Sequence, residues 1–394
     1  MRLNTAKRVS VLTALYYLVC YMPRAVYTSY LPVYYNSVGL LSWQIGLLGS
    51  VGPSVSLFSL FFWGTRADRA KHKNRVLYIT AFSSAALSVT LPLNAEFLYI
   101  LAVMLAFNFF QCSNQSLADT ITVEASARYG YKFSTMRAFG TAGFALVAVV
   151  IGYIAQGGLS SIFIVGTSAL FGAALLTLTL PKVAGHQREK LSFFRLFLDA
   201  DLMLVMGVVF VGFVPLGFYY GFFSIFLTDT LGGTTAHVGA ALLIAACSEF
   251  PFLIFADRIV KRFGVLPVLL VALVWTAARW TVFGFVGDPL SLTVLNVMHC
   301  GSLIVYTYCA ITYINNHVGD AQKASAQSLG NMVTAGLATI CGSLGGGVLA
   351  GYIGIAGVFR LMACWNALGA IAFFLIYRTR ISRQHTLAED VNEA

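Results

Sequence analysis

Five charged side chains and one histidine stand inside long apolar runs of this 394-residue chain: Arg24, Asp119, Arg137, Glu249, Arg279 and His299. Each type has a chemistry. The planar guanidinium of arginine grips carboxylates through paired hydrogen bonds. A carboxylate accepts hydroxyl groups or carries a proton, and a histidine changes charge near neutral pH. Their spacing groups them. Asp119 and Arg137 are centred on residue 128, each nine residues away, which is about 13 Å along a helix rising 1.5 Å per residue. Arg279 and His299 are centred on residue 289, each ten residues away, or about 15 Å. Glu249 and Arg279 flank Gly264 symmetrically, and Arg24 stands midway along the first apolar run, between Pro23 and Tyr27. If the runs are helices joined by turns at those midpoints, all six groups meet at one level. An isolated charge there costs about 2.5–3.5 kcal/mol. Two structural pairs, Asp119 with Arg137 and Glu249 with Arg279, leave Arg24 alone; a water-filled site for a solute accounts for all six, and is the favoured reading.

Other polar groups are less specific. Tyr16, Tyr17, Tyr27, Tyr30, Tyr219 and Tyr220 either line such a site or pack, and Asn114 and Gln115 lie one turn before Asp119. Asp68 and Asp257 belong to polar loops, where pairing or helix capping is expected, and Arg360 lies near a span end, where it can reach the surface. No phosphate loop, GxSxG or HExxH pattern occurs, so an enzyme is not expected. No cofactor or metal is implied, the driving force being a proton gradient.

The elements that position these residues follow from composition. The chain is 58% hydrophobic and only 10% charged, with mean hydropathy +0.80. A soluble protein carries about 25% charged residues, so the fold class is an all-α membrane protein embedded in a lipid bilayer. The net charge of +10 reflects basic residues beside apolar spans, and nucleic acid is not an expected partner. Seven cysteines are scattered singly, without a CxxC pair, and read as small buried hydrophobes. The first run is too long for a signal-peptide core and is expected to be retained.

Twelve apolar segments can be placed, at about 9–37, 42–63, 75–93, 97–121, 134–156, 160–180, 202–228, 237–256, 265–286, 289–314, 324–352 and 357–377, each near the length needed to span. Of the 25 Lys and Arg, all but Arg24, Arg137, Arg279 and Arg360 fall at the termini or in every second gap. The cytoplasmic bias of Lys and Arg then puts both termini in the cytoplasm and makes the span count even. The polar stretch 181–201 divides the chain into a six-helix bundle (1–180), a cytoplasmic linker (181–201), a second six-helix bundle (202–378) and a cytoplasmic tail (379–394). The halves echo each other: Asp68-Arg69 and Asp257-Arg258 follow spans 2 and 8, and Gly-Tyr-Ile ends spans 5 and 11. Repeats of this kind are a common transporter construction. Glycine-rich runs such as Gly342–Gly347 read as close helix packing.

These residues resemble the major facilitator superfamily along the whole chain. GTRADRAKHK, with Gly64, Asp68 and Arg69, is similar to its loop 2–3 signature, and Asp257-Arg258 to the repeat of it; the resemblance implies a gating role for these five. SLADTITVE followed by MRAFGTAGF resembles the branch that holds lactose permease, nucleoside–proton symporters and phenylpropionate permease-like proteins. Asp119 and Arg137 keep the spacing of that permease's sugar-binding pair, Phe144 falls at its stacking tryptophan, and Arg279 and His299 keep the spacing of its helix 9 arginine and helix 10 histidine. FYYGFFSIFL and SEFP look most like the phenylpropionate group. Two positions depart: Ser302 stands where the permease has a carboxylate linked to proton release, and Asn296 where it has a lysine. Glu249 is about a turn from its helix 8 glutamate.

The expectation is an alternating-access transporter of the bacterial inner membrane, a likeness-based monomer that imports a small organic solute with protons. The solute contacts expected are Arg24, Tyr27, Asn114, Asp119, Arg137, Phe144, Tyr219, Tyr220, Glu249, Arg279 and His299, with Asp119, Glu249 and His299 available for proton coupling. Three arginines against two carboxylates favour an anionic solute such as an aromatic carboxylate. The alternatives are a nucleoside or oligosaccharide symporter and a multidrug-type efflux protein.

Overall fold

A computed structural model describes residues 2–184, 196, 198–319 and 322–393. Among the described residues every regular element is helical. The first half contributes α1 (Arg2–Ser37), α2 (Ser42–Arg69), α3 (Lys73–Thr90), α4 (Phe97–Tyr129), α5 (Phe133–Ile154) and α6 (Ser161–Thr177). The second contributes α7 (Ala200–Ile225), which runs into a π-helical turn at Phe226–Thr230, then α8 (Thr235–Phe263), α9 (Val265–Phe285), α10 (Pro289–Leu295), α11 (Leu303–His317), α12 (Lys323–Asn331) and α13 (Gly346–Glu393). Helices satisfy every backbone group internally, which apolar surroundings demand. Pro23, Pro32, Pro53, Pro215 and Pro251 lie inside them, as packed neighbours allow.

Ten described segments are long and apolar enough to cross a membrane. Ser161–Thr177 is a shorter apolar helix, and the last segment, Ser325–Thr379, has 55 residues. That is more than twice the roughly 20 residues a bilayer core needs, and Gly354 (φ 70°, ψ 167°) breaks it. The turns are tighter than the charge pattern suggested. α2 runs through Asp68 to Arg69 and α8 through Asp257 and Arg258 to Phe263, so these residues are helical and not in loops. Gly130, with φ 74°, closes α4 in the left-handed region and leaves two residues before α5. α13 continues to Glu393, so the described residues of the expected 379–394 tail are helical. Most of the 181–201 connection lies outside the described residues.

The tenth apolar segment departs from the expected continuous helix. After α10 the chain tightens into a 3-10 turn at Asn296–Gly301, Ser302 takes φ −110°, ψ −108°, and α11 then begins. The break falls at the histidine. Between α12 and α13 the chain is π-helical at Met332–Ala338 and Cys341–Gly345. There the glycine-rich run packs closely: a Cβ on Gly342 would lie 1.9 Å from the Val214 carbonyl, and one on Gly346 would lie 2.3 Å from the Phe218 ring.

Within the first half α1 packs on α5 and α6, and α3 on α4 and α6; within the second, α9 packs on α13 and α8 on the 3-10 turn. The halves meet through α5 with α8, α1 with α7, and α2 with the glycine-rich run. Among the described residues two hydrogen bonds cross between them. Thr235 Oγ1 donates to Gly152 O at 2.7 Å, and Ser343 Oγ donates to Gly46 O at 3.1 Å. Both lie at the same end of the bundle, where α5 ends and α2 and α8 begin.

Candidate functional site

The first-half cluster is built on three helices. Gln115 and Asp119 are four residues apart on one face of α4, and Gln115 Nε2 donates to Asp119 Oδ1 at 2.9 Å. Tyr17 of α1 donates to the same oxygen at 2.6 Å, and Arg137 Nη1 of α5 donates to Oδ2 at 2.7 Å. The predicted pairing of Asp119 and Arg137 across the α4–α5 turn is therefore present. The arginine side chain is 47% exposed and the aspartate 23%; the guanidinium lies 5.8 Å from the Tyr21 ring centre. Arg24, two turns beyond Tyr17 on α1, is exposed and makes no ion pair or hydrogen bond among the described residues. Its charge acts on Tyr21 of its own helix and on Tyr220 of α7.

The second-half cluster surrounds the break between α10 and α11. Arg279 of α9 is fully buried. Its Nη1 contacts His299 Nδ1 and Ser302 Oγ, both at 2.9 Å. Rings of Tyr219, Trp280 and Phe283 stand 4.7, 4.4 and 5.1 Å from its guanidinium carbon. Cation–π attraction is strongest where water is excluded, and it acts on a guanidinium whose Nε and Nη2 have no hydrogen-bond partner among the described residues. These groups explain how a buried arginine stands without a bonded carboxylate. The Glu249–Arg279 pair of the purely structural alternative is not formed: Glu249 of α8 instead faces His299, Oε1 to Nε2 at 3.4 Å. α9 is tied to the break a second time, because Trp275 Nε1 donates to the Met298 carbonyl at 2.8 Å. Gly301 makes room for that indole, since a Cβ there would lie 2.3 Å from Trp275 Cδ1. Tyr219 donates to Asn296 Oδ1 at 2.7 Å, and Tyr220 packs edge-on to Tyr219.

Other expected contacts point elsewhere. The Tyr27 hydroxyl lies 3.4 Å from Thr167 Oγ1 of α6, with its ring edge-on to Phe107. Asn114 donates to Ser84 Oγ of α3 and to Gln111, turning from the face that carries Asp119. Phe144 is half-buried against both apolar cores. Around Gly64 a Cβ would meet nothing, Asp68 is half-buried, and Arg69 and Arg258 are exposed. Asp257 accepts from Tyr308 of α11. Arg360 donates to Gly284 O at 2.8 Å with its guanidinium 4.7 Å from the Phe285 ring centre, at the end of α9. Sequence reading placed Gln115 and Tyr17 near the site and missed the hydrogen-bonding roles of Trp275 and Ser302. Neither Trp275 nor Ser302 carried a signal for its partner in the sequence.

The family description that matches, MFS_1 like family, spans residues 11–361. The chain belongs to the MFS_1 like family. It is thus a multi-pass major facilitator superfamily transporter of small-molecule solutes, and not an enzyme. The chain is 25% identical to a maltose permease of Geobacillus stearothermophilus over 98% of each protein. It is 23% identical to a probable 3-phenylpropionic acid transporter of Escherichia coli (strain K12), over 89% of this chain and 93% of that protein. The crystal structure of the nucleoside transporter NupG superposes with a TM-score of 0.83 at 19% identity, covering 94% of this chain and 99% of that one, and supports the fold. In this MFS_1 like transporter the two clusters stand in opposite halves of the chain, and Tyr220 of α7 shares the field of Arg24 from one and Glu249 from the other.

Proposed function

We propose that this transporter is a proton-coupled importer of a small organic anion, an aromatic carboxylate in the first instance, working by alternating access in the bacterial inner membrane. The reading uses twelve membrane helices. Ten segments are long enough, Ser161–Thr177 adds one, and the break at Gly354 divides the 55-residue segment into two. The basic residues orient them with both termini in the cytoplasm, as two six-helix halves in a monomer. With that orientation the end where the halves touch, through Gly46–Ser343 and Gly152–Thr235, is the external one, and the reading takes this as an inward-facing state with the site open to the cytoplasm. Gly64, Asp68 and Arg69, with Asp257 and Arg258, lie at the opposite end, where the halves close in the outward-facing state.

Arg24 is the observation that carries the anion. Arg137 is neutralised by Asp119 and Arg279 is enclosed by rings, whereas Arg24 is exposed and has no partner among the described residues. A carboxylate solute supplies that partner through a bidentate bond, with Arg137, Tyr21 and Tyr220 around it. Tyr27, Asn114 and Phe144 then support the site from behind. The test is uptake of labelled 3-phenylpropionate, maltose and uridine into proteoliposomes. Saturable uptake of the acid alone, weakened in Arg24→Gln, bears the reading out; uptake of maltose or uridine alone refutes it. The second reading, a sugar or nucleoside symporter, draws on the maltose permease likeness over 98% of the chain and on Asp119 as a hydroxyl acceptor. Efflux of amphipathic compounds is the remaining alternative, decided by transport direction in everted vesicles.

A further inference from the structure

We propose that Glu249 alone takes and releases the coupling proton, while Arg279 fixes His299 in one neutral tautomer whose Nε2–H faces Glu249. The inference rests on the proton-coupled reading above. A guanidinium only donates hydrogen bonds, so the 2.9 Å contact from Arg279 Nη1 makes His299 Nδ1 an acceptor. The ring hydrogen then sits on Nε2, the nitrogen that faces Glu249 Oε1 at 3.4 Å. A second proton on the ring must go to Nδ1. It would break the Arg279 contact and set two cations side by side. The guanidinium cannot easily turn away, because Ser302 Oγ accepts from the same Nη1 and three aromatic rings hold it in place.

Asp119 is a poor carrier for a related reason. Both of its oxygens accept from donors, Tyr17 and Gln115 on one and Arg137 on the other, and protonation would remove the negative charge that those three bonds, the arginine's above all, depend on. Glu249 Oε1 is buried and accepts no full hydrogen bond, the 3.4 Å contact being long. Protonating Glu249 therefore breaks nothing. The charged and titratable groups around it are Arg279 of α9, His299 and Cys300 of the 3-10 turn, and Tyr219 and Tyr220 of α7, with Arg24 of α1 acting on Tyr220. In the step itself a hydronium ion on one side gives its proton to the carboxylate: one of its O–H bonds breaks, leaving water, as one O–H bond forms on Glu249. After the halves rearrange, that bond breaks to water on the other side, and one proton has crossed.

Two spectra of the full chain in lipid bilayers test this without a solute. In 15N NMR of histidine-labelled protein, His299 is assigned by the signal lost in His299→Gln. The expected result is a neutral ring protonated at Nε2 across neutral pH, with the Nδ1–H form appearing in Arg279→Met. An imidazolium, or an Nδ1–H ring in the unmodified protein, overturns the proposal. In infrared difference spectra, the C=O band of a protonated carboxyl that titrates in the unmodified protein should vanish in Glu249→Gln. Its survival there, or its loss in Asp119→Asn, also overturns the proposal. If instead a pH gradient drives no accumulation of 3-phenylpropionate, maltose or uridine, the proton-coupled reading fails while the tautomer result stands.

Discussion

Gly46 of α2 is a place where one methyl group should tell the two transport states apart. Its backbone lies against the glycine-rich run, and a Cβ there would stand 2.5 Å from the Ser343 carbonyl oxygen and 2.9 Å from Gly347 Cα. Both are backbone atoms, so the helices must separate to admit it. Overpacking of this kind costs about 1–3 kcal/mol. The cost falls only on the state in which α2 and that run touch, because alternating access parts them in the other. At 1.4 kcal/mol per factor of ten, the ratio of inward-facing to outward-facing molecules should drop roughly 5- to 150-fold in Gly46→Ala. Electron–electron double resonance between spin labels at Leu41 and Tyr352, which are 60% and 84% exposed at this end, measures that ratio in a background without the native cysteines. A longer distance should emerge in Gly46→Ala, and in Gly347→Ala, whose Cβ would stand 2.8 Å from Gly46 Cα. A distribution unchanged in both variants, with the protein folded, would refute the claim that this contact closes the external gate.

Further outcomes follow from the site. Arg24→Gln should weaken binding of 3-phenylpropionate about 10- to 150-fold, the equivalent of a charged hydrogen bond worth about 1.5–3 kcal/mol; equal affinity in a binding assay would remove the anion argument. Asp119→Asn should lower folding stability by about 1–2 kcal/mol, the usual charged-bond value reduced because Arg137 is 47% exposed. Asp119→Asn with Arg137→Gln should recover part of this in a thermal melt. Gly301→Ala should push Trp275 off the Met298 carbonyl, at a cost of about 1–3 kcal/mol, seen as a lower melting temperature and a shifted tryptophan emission. Asp288 caps α10, where the Ser291 N–H donates to its carboxylate at 2.8 Å and holds its pKa below the ordinary value. A depressed carboxyl stabilises the fold above its unfolded pKa, near 3.9, and loses that effect as pH falls through the folded pKa. Asp288→Ala should therefore lower the melting temperature at neutral pH, and the difference from the unmodified protein should shrink in strong acid.

The sequence made the buried charges legible because lipid leaves so few explanations for them. Asp119 and Arg137 could be paired by counting residues from a turn, since two rigid helices of known rise leave little freedom. The same count brought Arg279 to His299. It failed for Glu249 and Arg279, which flank the α8–α9 turn symmetrically. Counting gives depth, whereas rotation about the helix axis decides which side chain a group faces, and Glu249 faces His299. The break at His299–Ser302 was not legible either. It depends on Trp275 of α9 bonding the Met298 carbonyl and Arg279 of α9 bonding the side chains of His299 and Ser302, and a single apolar segment carries no sign of that. Helix ends were misplaced by several residues around Asp68 and Asp257, because polar residues at a membrane surface are equally at home in a last helical turn and in a loop. Asn114 and Gln115 show the limit of a one-turn argument: adjacent residues point about 100° apart on a helix, and only Gln115 reached Asp119.

Proton-driven accumulation tests the central claim most directly. Proteoliposomes holding the purified transporter, loaded at neutral pH and diluted into a more acidic buffer, are followed for labelled 3-phenylpropionate alongside protein-free vesicles, which correct for passive entry of the acid. The account predicts protein-dependent accumulation above the protein-free level, abolished by a protonophore and weakened in Arg24→Gln. Uptake that only equilibrates the solute across the membrane, untouched by the protonophore, would contradict it.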